Sequence, residues 1–200
     1  MKLKPVCKPR DTRVFILEQA ISLFAMQGFH GVSMRKISKA TSLSTAALYH
    51  HFPDKETLYL GVIKHAFAEK SEGIMRALDL EGTPIEKLDR FILRFTMMMG
   101  DDPNFRSLVQ WELLDDDESR LKQVTEEVFS EPFKAIKNLS KELCFDCDSH
   151  MLATSIVGLI MFHFEAKPVH RYLDGGKAMH SDPQNIARHV SKLLTNTLTV

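Results

Sequence analysis

Helical spacing of apolar residues recurs along the chain and strand-like alternation is sustained nowhere, so the pattern predicts an all-α protein. Leu17, Ala20, Ile21 and Phe24 fall at i, i+3, i+4 and i+7 within a helix over 12–27, and Gly28 stands where a helix end takes a left-handed residue. Ser33 is placed to cap a second helix starting at Met34, with Ile37 and Ala40 facing inward. A short third helix fits 44–51. After Pro53-Asp54 a fourth begins at Lys55 or Glu56 and runs to about Leu78, with Leu58, Val62, Phe67 and Ile74 in loose helical period.

The later elements announce themselves by their starts. Thr83-Pro84-Ile85-Glu86 has the form of a capping box with proline at the first helical position, followed by Leu88, Ile92, Phe95 and Met99 at 3-4 spacing. Asp102-Pro103 and Asp182-Pro183 read as cap and first residue of helices over 103–115 and 183–198. A helix over 119–146 is expected to kink at Pro132, and another fits 149–166. The most apolar stretch, Met151 to Phe164, is short of the roughly 20 residues a membrane span needs and contains His163, so it reads as a buried helix.

Composition adds little until charge is counted by region. The overall balance is zero, with 44% hydrophobic and 26% charged residues, ordinary for a globular chain. Residues 1–70, however, carry eleven Lys/Arg against five Asp/Glu, and residues 71–200 fifteen against twenty-one. A basic segment joined to an acidic one points to a polyanion-binding module on a body with another task. An odd count of three cysteines and the absence of a secretory leader pattern imply a reducing, cytoplasmic setting.

The three short N-terminal helices, the second and third separated only by residues 41–44, have the layout of a helix-turn-helix, in which the last helix enters the DNA major groove. The stretch FILEQAISLFAMQGFHGVSMRKISKATSLSTAALYHHFPDKETL, above all its S-x-x-x-L-Y-x-H-F-x-x-K-E-x-L, resembles the DNA-binding domain of the TetR family of bacterial transcriptional regulators. The resemblance covers about a quarter of the chain. It implies a DNA-binding unit over 1–55 and a helical body over 56–200 that dimerises and binds a small-molecule effector; the partners implied are double-stranded DNA and a second copy, with no membrane.

Carried over position by position, the resemblance implies that Ser33 and Arg35 meet a phosphate and a base edge, and that Lys36 adds positive charge nearby. Thr45 and Ala46 face the bases; Ser44, Tyr49, His50 and Lys55 hold phosphates. Lys2, Lys4, Lys8 and Arg10 form a basic arm. The sequence departs from the family pattern at Ser42, which stands where a turn glycine is usual and must take a left-handed conformation or reshape the turn, at Lys36, where an acid usually completes a capping box, and at Ala46.

Three other clusters invite chemistry. His50 and His51 lack the further ligands a zinc site needs and read as a helix end. Cys144 and Cys147, with His150 close by, read as ordinary packing or surface cysteines at a helix junction, with metal or thiol sensing as the alternative. The acids of Trp111 to Arg120 read as a solvated loop between helices, with coordination of a divalent ion as the alternative. No nucleophile and base are paired and no cofactor loop is present, so the reading is a non-enzyme without cofactor or metal. Phe95, Met98, Met99, Phe105, Trp111 and Phe162 are candidates to line an effector pocket, with core packing as the alternative. Apolar residues around Gly158, together with Ile186, Val190, Leu193 and Leu194, suggest half of a four-helix dimer interface. The runner-up function keeps the DNA-binding unit and gives the body a protein partner in place of a small ligand.

Overall fold

A computed structural model describes residues 11–144 and 146–198, so the basic arm at Lys2, Lys4, Lys8 and Arg10 lies outside the described residues. Among them every regular element is helical: α1 (Thr12–Gly31), α2 (Met34–Thr41), α3 (Thr45–His51), α4 (Lys55–Asp79), α5 (Pro84–Asp101), α6 (Pro103–Leu113), α7 (Glu118–Val124), α8 (Ser130–Leu143), α9 (Ser149–Glu165), α10 (Lys167–His170) and α11 (Pro183–Leu198), with a 3-10 turn at Ala178–Ser181. No helix among them is long and apolar enough to cross a membrane.

The caps foreseen from sequence are in place. Ser33, Asp54, Thr83 and Asp102 each accept a backbone N–H of the helix they start, and Thr83 and Glu86 complete the reciprocal capping box. Gly28 has φ 63°, after which the chain takes one more helical turn to Gly31. Ser42 adopts φ 57° and ψ 24°, the left-handed conformation that its place in the turn demands. That conformation costs a non-glycine residue roughly 1 kcal/mol or more, and glycine loses about 0.5 kcal/mol of it to its freer unfolded chain. Ser42→Gly is therefore expected to gain about 0.5 kcal/mol, read as a rise in the urea midpoint at unchanged slope. A loss of stability would mean that the serine side chain contributes more than the strain costs.

Two expectations need correction. Ala40 is exposed, and the buried partner of Ile37 is Thr41, one turn on, whose hydroxyl donates to the Ile37 carbonyl at 2.9 Å. The span 119–146 is not one helix kinked at Pro132. The helix widens into a π turn at Thr125–Phe129 and restarts at Ser130, with Pro132 in the new first turn. Proline has no N–H to offer residue 128 and its ring crowds that carbonyl, so the widened turn lies just upstream of it. The Thr125 carbonyl there accepts both the backbone N–H and the hydroxyl of Ser130. At the α8–α9 junction, Cys144 and Cys147 are joined as a disulfide, which the reading of separate packing cysteines missed.

Two apolar clusters form the interior. The first gathers Ile16, Ala20, Phe24, Ile37, Leu48 and Phe52 from α1–α3 with Leu58, Tyr59, Val62 and Ile63 from the start of α4, and draws in Leu108 and Val124 from α6 and α7. The second joins the far end of α4 to α5, α6, α8, α9 and α11 through Phe91, Ile92, Met99, Ile156, Ile160 and Val190. Helix α4 serves both, so a tilt of this helix moves the two cores relative to each other.

Candidate nucleic-acid interface

Helices α2 and α3 are seated by their apolar sides and held at a fixed angle by the turn between them. Ile37, Leu48 and Phe52 are fully buried, and the Ser38 hydroxyl donates to the Leu43 carbonyl at 2.6 Å, tying α2 to the turn. The end of α3 is closed from α1: Arg13 donates to the His51 carbonyl at 3.2 Å while its guanidinium lies 4.5 Å from the Phe52 ring centroid. Sequence reasoning did not single out Arg13; a lone basic residue in a first helical turn carries no signal of a partner 38 positions away.

The outward side holds most of the residues expected to meet DNA. Ser33, Arg35, Ser44, Thr45, Ala46, Tyr49 and His50 are all exposed. Ser33 and Ser44 accept the Lys36 and Ala47 backbone N–H groups through their side-chain oxygens, which leaves each hydroxyl proton able to donate outward beside a helix N-terminus. Thr45 and Ala46 open the first turn of α3, and Tyr49 and His50 close it one turn later. Lys39, one turn beyond Arg35 on α2 and also exposed, adds a cation to this side that the sequence reading passed over, although the i, i+4 spacing from Arg35 was visible.

Two of the expected contacts are turned toward the protein instead. The Lys36 ammonium donates to the Gln27 side chain at 2.6 Å and to the Gly31 carbonyl at 2.7 Å. The Lys55 ammonium donates to the Phe29 and Val32 carbonyls at 3.1 and 3.2 Å and lies 3.9 Å from the Phe29 ring centroid. Burial, then the nearby Arg120 charge, holds Lys55 below the usual lysine pKa. Both ammonium groups close the carbonyl end of α1, where a helix dipole favours a cation.

The six residues expected to line one effector pocket do not converge. Phe95, Met98, Met99 and Phe105 are packed into the second core, with Phe105 against Phe67. Phe162 is 66% exposed on α9. Trp111 lies at the junction with α1, where its indole N–H donates to the Ala25 carbonyl at 3.0 Å and its ring covers Gly28, leaving no room for a Cβ there. Large apolar residues at helical spacing fill a core by default, and spacing alone does not separate a cavity wall from a packed interior.

The acidic segment expected to be a solvated loop proves to be the other half of that junction. Glu112 is 1% exposed, and one of its carboxylate oxygens accepts a very short hydrogen bond from the Tyr59 hydroxyl on α4. Its other oxygen is buried without a partner among the described residues. Asp115 is paired with the buried Arg120 guanidinium, whose Nε stands 2.7 Å from its carboxylate and whose plane lies 4.1 Å from the Phe29 ring centroid. The surface that positions α1 to α3 is thereby bolted to the body through charges at 112–120.

Comparison with known proteins agrees with this geometry. Residues 16–62 match the family model described as bacterial regulatory proteins, tetR family. The HTH-type transcriptional repressor AcnR of Corynebacterium efficiens is 31% identical over 107 residues, 50% of this chain and 57% of its own. The IcaR negative transcriptional regulator of the biofilm operon icaADBC in Staphylococcus epidermidis is 30% identical over 80 residues, 40% of this chain and 43% of its own. The matches thus span about half the length of these curated relatives. Among solved structures, FadR from Bacillus subtilis in complex with stearoyl-CoA superposes with a TM-score of 0.74 at 19% identity, covering 90% of this chain and 96% of that one. AibR in complex with isovaleryl coenzyme A and operator DNA gives 0.73 at 18% identity over 92% and 97%. At such identities the structures speak for the fold alone, which extends the likeness from the matched N-terminal helices to nine-tenths of the chain. By that match, residues 16–62 carry the N-terminal module of the tetR family of bacterial regulatory proteins, set in a fold that the solved structures share over nine-tenths of the chain.

Proposed function

We propose that this protein is a dimeric DNA-binding repressor, released from a two-fold symmetric operator when a small molecule binds its helical body. The observation that carries the reading is the exposed side of α2 and α3, where Arg35, Thr45, Ala46, Tyr49 and His50 surround two serine-capped helix N-termini. In the proposed division of labour, residues 1–55 read DNA and 56–200 dimerise and bind the effector. Arg35 reads a base edge, Thr45 and Ala46 contact bases by small groups, and Ser33, Ser44, Tyr49 and His50 hold phosphates. Lys36 and Lys55 act here chiefly by closing α1 and raising the local positive potential.

A single short helix reads only a few base pairs, so pairing two copies is what gives such a surface a usable site. On α9, Met151, Ser155, Gly158 and Phe162 lie on one exposed stripe at i, i+4, i+7 and i+11; Met151 is 68% exposed, and a Cβ at Gly158 would meet open space. Leu193 on α11 is exposed too, whereas Ile186, Val190 and Leu194 are committed to the chain's own core. The stripe on α9 with Leu193 supports dimerisation through these two helices. In the body, the fully buried Thr96 hydroxyl lacks a partner among the described residues, one turn from Ile92 and Met99. A polar group so placed supports a ligand that enters the core between α5 and its neighbours.

Fluorescence anisotropy on DNA from upstream of the protein's own gene, against a scrambled control and across a salt series, tests the reading. Wild type is expected to prefer the upstream DNA by on the order of a thousandfold. Arg35→Ala should lose about tenfold or more of that preference while keeping its salt slope. Isovaleryl-CoA and stearoyl-CoA, the ligands of the two related structures, are the first compounds to try for release. Equal weak binding to the upstream, scrambled and randomised-selection DNA would refute a DNA-reading role. A second reading, in which the body meets a protein partner, is favoured by one observation: Phe95, Met98, Met99 and Phe105 pack shut instead of enclosing a cavity.

A further inference from the structure

Helix α8 hands over to α9 through a tight corner whose two ends, Cys144 and Cys147, are joined as a disulfide with their Cα atoms 5.5 Å apart. Cys144 closes α8, its N–H donating to the Ser140 carbonyl at 3.1 Å, and Cys147 stands directly before Asp148, the N-cap of α9. The Asp148 carboxylate accepts the His150 and Met151 N–H groups at 2.9 and 2.8 Å, and the His150 ring meets the Phe133 ring of α8 with centroids 5.0 Å apart. The first turn of α9 thus hangs on this corner. It also faces two ways: Leu152 and Ala153 pack into the second core, while Met151 begins the exposed stripe that ends at Phe162.

A bond in this place adds little as a permanent staple. In the chain-entropy account a disulfide stabilises most when it closes a long loop, and this one spans a sequence separation of 3. The chain has two apolar cores to fold on, unlike the small secreted domains that cross-links hold together. The position suits exchange instead. Cys147 is exposed and Cys144 half-buried, so a small disulfide reaches one sulfur from solvent while the other stands ready within the corner. On the repressor reading the chain works beside DNA, where small thiols reduce most cysteines and a disulfide that forms is transient and sensing. The exchange balances in two steps. The Cys147 thiolate attacks one sulfur of a low-molecular-weight disulfide, whose S–S bond breaks, and one small thiol leaves with the proton that Cys147 gave up. The Cys144 thiolate then attacks the Cys147 sulfur of the mixed disulfide, forming the bond between the two cysteines and releasing the second small thiol with the second proton. Two cysteine thiols are oxidised, one small disulfide is reduced to two thiols, and excess small thiol runs the sequence backwards.

We propose that Cys144 and Cys147 are a reversible dithiol–disulfide site, oxidised by low-molecular-weight disulfides, that sets how firmly the first turn of α9 is held. Reduction frees the corner, so this turn opens more often and loosens the start of the stripe on α9. The consequence for pairing of two copies rests on the function proposed above; the chemistry of the site does not. The test uses the full-length protein with Cys7→Ser, the third cysteine lying outside the described residues, equilibrated with reduced and oxidised glutathione in stepped ratio. Free thiols are then alkylated and counted by mass spectrometry. Both thiols are expected to disappear together with no glutathione retained, and to return in excess reduced glutathione. Cys144→Ser should stop at one glutathione on Cys147. Amide hydrogen exchange over 149–153 should run about tenfold faster in the reduced form, and the dimer dissociation constant should rise by about fivefold or more. Neither should respond to glutathione in Cys144→Ser/Cys147→Ser. Thiols that stay free in oxidised glutathione, a mixed disulfide that persists on the intact pair, or equal exchange or equal dimer dissociation in the two forms overturns the proposal. A chain that stays monomeric in both forms, yet shows the paired oxidation and the exchange difference, supports the site and refutes the dimeric reading instead.

Discussion

Arg120→Ala is expected to lower stability by about 3–5 kcal/mol, a large part of the 5–15 kcal/mol typical of a domain. Arg120 is 8% exposed and serves three partners at once: the buried Asp115 carboxylate, Asp117 at 3.1 Å, and the face of Phe29. Burial alone would raise the Asp115 pKa, but the hydrogen bonds and charge of Arg120 outweigh it and hold the carboxyl below its ordinary value. Truncation therefore leaves a buried carboxylate with no compensating charge and uncovers Phe29, which is costlier than the pair's net worth. The sign with pH follows. A carboxylate whose folded pKa is depressed contributes stability above its unfolded value, about 3.8, and loses it as pH falls through the lower folded value. The wild-type advantage over Arg120→Ala should accordingly shrink in acid. Urea unfolding checks both points, and Arg120→Ala/Asp115→Ala should recover part of the loss. If the double variant loses the plain sum of the two single losses, the pair is not coupled.

The fold was legible where short-range rules decide it. Ser33, Thr83 and Asp102 sit before helices because their side chains satisfy N–H groups three residues on, and that relation is complete within a few residues of sequence. The left-handed Ser42 was legible for the same reason, being fixed by the length of the turn between two helices. What lay outside reach depended on packing between distant segments. Nothing local marks Arg120 as the partner of Phe29, or Glu112 as the acceptor of the Tyr59 hydroxyl, and a run of acids resembles a solvated loop until a buried cation folds back on it. Lys36 and Lys55 show the same limit on the DNA side. Their number and sign were readable, yet whether an ammonium reaches a phosphate or the end of α1 is decided by where Gly31, Phe29 and Val32 leave their carbonyls. The pocket residues failed differently, since Phe95, Met99 and Phe105 have the spacing of a wall and of a core alike.

Glu112→Gln is expected to stabilise the protein by about 2 kcal/mol at pH 8.5 and to change it little near pH 4.5. Burial, then the negative charge of Asp115, raises the Glu112 pKa, against the opposing pull of the Tyr59 hydrogen bond and Arg120. Burial likewise pushes the Tyr59 phenol upward, with the Glu112 charge adding to it, so Tyr59 keeps its proton and remains the donor. An acid whose folded pKa is raised is fully stabilising below its unfolded value, about 4.5, and that contribution is lost as pH climbs through the raised folded value. At alkaline pH the wild type thus buries a charge with one oxygen unpartnered, at the joint between α4 and α6. Glutamine keeps an oxygen for the Tyr59 hydroxyl and carries no charge. Its amide hydrogens meet the same empty surroundings as the acid's own O–H does in the protonated form, so the two chains converge at low pH. Chemical unfolding of both from pH 4.5 to 8.5 should give curves that meet in acid and separate in base. A difference that stays constant across that range would mean Glu112 does not titrate within it, and the joint is not sensitive to protons.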